Sequence, residues 1–170
     1  MQNSPALRLV QAHLSEHRPC GLTWVDDPRP DPTRTPADER FTVFARMADG
    51  GELAVWHRPG TIGEDGPVVL FDTDGRPSVL ADDVAQALAL VALAGPAAPG
   101  VRVDDEPDHG CPDCLDPDHG PAPAPDHRFL TWVQQQLGAT PPRDVPTAVL
   151  FATLRHPGLP RTARRVRVDV

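Results

Sequence analysis

One run of 46 residues, Gly50–Gly95, constrains the fold more than any other part of this chain: GGELAVWHRPGTIGEDGPVVLFDTDGRPSVLADDVAQALALVALAG. It opens on a glycine turn and closes on Gly95-Pro96. Between them the hydrophobic period changes from that of strands to that of a helix. Glu52–His57 alternates as a strand does. Arg58–Gly66 is a glycine-rich loop. Pro67–Phe71 is apolar on both faces, as a central strand is. Asp72-Thr73-Asp74-Gly75 is a turn signal, and Pro77–Leu80 pairs back. Asp82 is placed to cap a helix, with Asp83 in its first turn, where the helix dipole favours negative charge. Val84, Leu88 and Val91 form the apolar stripe of that helix, widened by Ala87, Leu90 and Ala94.

The flanks supply partners for this run. Ser4-Pro5 is a helix start, a hydroxyl cap followed by proline at the first helical position. Leu7, Val10 and Leu14 then share a face, which predicts a helix over Pro5–Glu16. Leu22–Val25 is a brief strand. In Arg40–Met47, Phe41, Val43 and Ala45 alternate with Thr42, Phe44 and Arg46. The turn Ala48-Asp49-Gly50-Gly51 joins this strand to Glu52–His57 as a hairpin. Helical spacing returns at Phe129, Trp132, Val133 and Leu137, ended by Gly138, and a last helix covers Thr147–Leu154. The tail Arg161–Val170 is basic, either a solvated tail or a late edge strand.

Most of the 22 prolines lie in three blocks, Pro28–Pro36, Pro96–Pro125 and Pro141–Pro160. None of these blocks can be helix or strand interior. At 170 residues the chain is one domain with a real core. Residues 1–95 form an N-terminal helix with a sheet and helix core. Residues 96–127 form an exposed insertion rich in Pro and Asp, and 128–170 a C-terminal helical extension of the same domain. The expected class is α+β: a small, mostly antiparallel sheet of four to five strands with helices packed on one face.

The net charge of −8 argues against nucleic acid as a direct partner, since phosphate binding needs a basic face. It suits a basic protein partner, and it equally suits a surface that keeps the chain soluble. The absence of lysine and tyrosine, with single Ile and Asn residues, reflects a high-GC genome. No basic segment followed by an apolar block opens the chain, and the longest apolar run, Ala87–Ala94, is too short to span a bilayer. No membrane partner is expected. Three cysteines without a secretory context imply reduced thiols and a cytoplasmic location.

Several pieces of the central run, taken in order, resemble the SMI1/KNR4-like (SUKH) family. Phe44-Ala45 before Asp49-Gly50-Gly51 is similar to the family's strand leading into a glycine-rich turn. Leu53-Ala54-Val55-Trp56 resembles its next strand. Pro67-Val68-Val69-Leu70-Phe71 followed by Asp74-Gly75 resembles its apolar strand and acidic turn. Val79-Leu80-Ala81-Asp82-Asp83-Val84-Ala85, opening into Leu88, resembles its helix start. Phe129–Gly138, Pro141-Pro142 and Arg155-His156-Pro157 are similar to a C-terminal extension common in actinobacterial members. The resemblance implies a SUKH-like α+β fold. It also implies a non-enzymatic role, since bacterial members are mostly immunity proteins that bind and neutralise a cognate polymorphic toxin.

On that reading Glu64, Asp72 and Asp74 are the candidate acidic contacts with a basic toxin, and Trp56, near a strand end beside a flexible loop, is a candidate anchor. The competing reading of Asp72 and Asp74 is turn chemistry, and that of Trp56 is core. The sharpest local motif lies elsewhere, in EPDHGCPDCLDPDHG. Cys111 and Cys114 are spaced to present two thiolates to one metal, and His109 and His119 can complete a tetrahedral structural zinc site. That supports an alternative, a small zinc-containing regulatory or adaptor domain. The threefold repeat of Pro-Asp-His supports a plain flexible acidic loop with no cofactor. No phosphate loop, nucleophile elbow or HExxH motif is present, and no nucleophile, base and orienter assemble from the motifs.

Overall fold

A computed structural model describes residues 4–26, 41–57, 66–94 and 125–159. In chain order these form α1 (Pro5–Glu16), a 3-10 turn (Pro19–Gly21), β1 (Thr23–Trp24), β2 (Phe41–Arg46), β3 (Glu52–Trp56), β4 (Val68–Phe71), β5 (Pro77–Ala81), α2 (Val84–Ala94), α3 (His127–Leu137) and α4 (Val145–Arg155). The five strands form one sheet in the order β1-β2-β3-β4-β5, and every neighbouring pair is antiparallel. The expected α+β class is therefore present, with helices packed against the sheet.

Local chemistry sets each helix end. Ser4 Oγ accepts the Leu7 N–H at 3.2 Å, with Pro5 in the first turn of α1. Asp126 caps α3 by accepting from Phe129 N at 3.0 Å, and Gly138 ends it in the left-handed conformation. Asp144 caps α4 through Thr147 N at 3.0 Å. At α2 the expected roles of two neighbours are exchanged. Asp83, not Asp82, accepts from Gln86 N at 2.8 Å. Asp82 instead reaches the far end of α4, meeting His156 Nε2 at 2.9 Å and Arg155 at 2.7 Å. The helix begins one residue later than the sequence suggests, and this frees Asp82 to tie α4 to the end of β5.

The main core lies between the helices and one sheet face. Leu7, Val10 and Leu14 of α1, Leu88 and Val91 of α2, Phe129 and Val133 of α3 and Val149 of α4 meet Leu53, Val55, Val68 and Leu70 of the sheet. α2 buries Val84 and every residue from Ala87 to Ala92, because it lies among the other helices and the sheet rather than on the surface. The Asp126 N–H donates to Ala92 O at 2.8 Å, so α3 starts where α2 ends. The described parts of 1–95 and 128–170 share this core.

The opposite sheet face is also apolar. Phe41, Val43, Ala54, Trp56, Val69 and Phe71 form a second cluster, joined by Val25 and Leu159. β2 serves both faces through a bulge. Val43 pairs with Ala54, but the next paired residue is Ala45, opposite Leu53. Phe44 is the extra residue, so Ala45 moves to the helix side instead of joining Phe41 and Val43. Strict alternation in the sequence hides this shift.

Candidate functional site

The sheet pairing gathers two turns at one end. Arg46 pairs with Glu52, Glu52 with Phe71, and Phe71 with Pro77. The β2–β3 turn and the β4–β5 turn are therefore neighbours, joined by the β3–β4 pair. Each turn is fixed by an aspartate that folds back on its own backbone. Asp49 Oδ1 accepts from Gly51 N at 2.9 Å. Asp72 Oδ1 accepts from both Asp74 N, at 2.9 Å, and Arg76 N, at 2.8 Å. Gly75, at φ +75°, makes the reversal that lets its own N–H reach Asp72 O at 2.9 Å. Such side-chain bonds replace the solvent partners these donors would need, and so hold the turns in one shape.

Beneath this rim Glu52 is almost wholly enclosed, 2% exposed. Its Oε1 accepts from Arg46 at 2.7 Å and 3.3 Å, a forked contact with a guanidinium that is half exposed. Glu52 Oε2 has no hydrogen-bond partner among the described residues. Asp49, Glu52, Asp72 and Asp74 thus outnumber Arg46 and Arg76 at this end. Asp49 and Asp74 are exposed and Asp72 partly so. The result is a shaped acidic edge whose backbone is rigidly held.

Of the residues the sequence nominates for binding a partner, Asp72 and Asp74 lie together on this rim. Trp56 lies a strand length away, paired with Phe41 at the other end of β3. It is 3% exposed, and its ring stacks on Phe41 at 6.3 Å. Trp56 shares a face with Ala54, so the alternation that put it near a strand end also turned it into the second cluster. Glu64 lies outside the described residues, as do His109, Cys111, Cys114 and His119. Among the described residues no group of three or more His, Cys, Asp or Glu side chains is arranged to hold a metal ion.

Two members of this end of the sheet, Asp49 and Glu52, are not singled out as site residues by the sequence. Asp49 was visible only as turn material, and nothing local announces that Glu52 is buried. A second polar cluster was missed entirely. At the end of α1, His13 stacks on Trp132 at 4.0 Å and lies near Phe129 at 5.7 Å, with His17 at 4.8 Å. Cys20 Sγ is 3.9 Å from Asp126 Oδ2. Burial, the Asp126 charge and this hydrogen bond push the Cys20 thiol up to about 11, so it stays protonated at neutral pH and is a poor nucleophile. The one available signal is the spacing of His13 and His17, four residues apart across the end of the predicted helix. At the other end of the sheet, Thr42 Oγ1 and His57 Nε2 are 2.8 Å apart, which ties the end of β3 back to β2.

No helix among the described residues is long and apolar enough to cross a membrane. Comparison with models of known protein families, with curated proteins and with solved structures finds no match.

Proposed function

We propose that this chain is a non-enzymatic protein-binding domain, an immunity protein of the SUKH type that binds and neutralises a cognate toxin. The observation that carries the reading is the acidic rim: Asp49 and Asp72 pinned by their own turns, with Asp74 beside them. The order of motifs in Phe44–Gly95 supports the family assignment by resemblance. A preformed acidic edge meets a basic surface without paying to order its loops, which favours association. At physiological salt its field is screened within about 8 Å. The rim therefore speeds encounter and selects a basic partner, while close packing around it holds the complex. Neutralisation is steric: the bound domain covers the toxin's active surface and leaves its covalent structure unchanged.

The test is co-expression with a candidate toxin domain from a neighbouring gene. Cells that make both are expected to survive, and the two proteins to co-elute with the toxin chemically intact by mass spectrometry. Death of the co-expressing cells, or survival accompanied by covalent modification of the toxin, would refute the reading.

A further inference from the structure

His13 lies where three elements meet. Its imidazole is nearly parallel to the Trp132 indole, at 16° and 4.0 Å between centroids, and to the Phe129 ring, at 7° and 5.7 Å. His17, the extended residue that ends α1, lies 4.8 Å away. The 3-10 turn brings Cys20 against Asp126, the residue that caps α3. The seam between α1 and α3 therefore closes on a histidine stacked between helices.

The two protonation states of His13 do not fit this place equally. A neutral imidazole packs flat on the indole and loses little by leaving water. An imidazolium gains attraction to the Trp132 face but loses hydration, and it stands beside the second imidazole of His17. The groups around it are Glu16 at the end of α1, His17 just beyond it, Cys20 in the turn and Asp126 at the start of α3. Burial, then His17, lowers the pKa of His13 from its ordinary value of 6.5, outweighing Glu16 and Asp126, which raise it. Cys20 stays a neutral thiol and adds no charge.

We propose that the His13–Trp132 stack is an acid-operated latch, closed while His13 is neutral and loosened when His13 takes a proton, so that α3 separates from α1. The sign follows from proton counting. The unfolded or opened chain binds a proton near the ordinary histidine value, and the closed form only at lower pH. Across that window the opened form holds more protons, so closure weakens as the pH falls and is fully restored above it.

Hydrogen exchange of the full chain between pH 7.5 and 5, corrected for the intrinsic rate of exchange, tests the latch. The α3 amides are expected to lose protection severalfold on acidification while those of β3 and β4 hold theirs. In His13→Phe, which keeps a flat ring against Trp132 but takes no proton, α3 protection is expected to be independent of pH. Wild-type α3 protection that does not change with pH, or an equal loss in His13→Phe, would overturn the proposal. Should His13→Phe fold poorly, NMR titration of wild-type His13 decides: a midpoint below 6.5 supports the latch, and one at or above it overturns it.

Discussion

Gly66→Ala is expected to destabilise the protein by about 3 kcal/mol, as a small-to-large change in a packed site that also breaks a ladder hydrogen bond. A Cβ on Gly66 would lie 2.3 Å from the Trp56 carbonyl oxygen and 3.2 Å from its carbonyl carbon. Both are backbone atoms, so no side-chain rotation relieves the contact. The clash falls at the entry to β4, where Trp56 N donates to Pro67 O at 2.9 Å and Val55 pairs with Val68. Relief requires β3 and β4 to part at this end, and β3 is the middle strand of the sheet. For a domain of this size the loss corresponds to a fall in Tm of roughly 6–12 °C, read by thermal unfolding followed by circular dichroism. A Tm within about 2 °C of wild type would mean that the backbone yields there at little cost.

Arg46→Met is the second large effect. It leaves the Glu52 carboxylate enclosed without the guanidinium that contacts Oε1. Breaking a buried ion pair from one side costs about 3–5 kcal/mol, and the half exposure of Arg46 puts this case at the lower end, about 3 kcal/mol. The informative comparison is Arg46→Met with Glu52→Leu. Glu52 lies opposite Phe71 on the apolar second face, so leucine extends that cluster and removes the stranded charge. Most of the lost stability is expected to return in chemical denaturation. A double variant no more stable than Arg46→Met would show that the pair does more than compensate its own burial.

Signals confined to a few residues carried most of the fold into the sequence. Ser4-Pro5, Asp49-Gly50-Gly51, Asp74-Gly75 and Gly138 each act through their own backbone, so the helix starts, hairpins and stops follow from composition and spacing. The structure adds what depends on partners far along the chain. The Phe44 bulge exists only in the pairing of β2 with β3. Asp82 leaves the cap because His156 and Arg155, 74 and 73 residues away, reach it. Trp56 reads first as core and also as a candidate anchor, and its burial against Phe41 shows the core reading. Half of the rim was legible in the same way. Asp72 and Asp74 are visible as an acidic turn, but only the strand order brings Asp49 alongside and lays Glu52 beneath them.

The proposed role of the rim is open to one direct measurement: the affinity of Asp72→Arg/Asp74→Arg for a candidate toxin domain from a neighbouring gene, compared with wild type by titration calorimetry at physiological salt. Two reversed charges at a complementary edge are expected to weaken binding by at least about tenfold, near 1.4 kcal/mol, with the loss growing as salt is lowered. Asp72→Arg also removes the acceptor for Asp74 N and Arg76 N, so the fold is checked in the same samples by circular dichroism and Asp74→Arg alone is measured beside it. A folded double variant that binds as tightly as wild type would contradict the assignment of this edge as the binding surface.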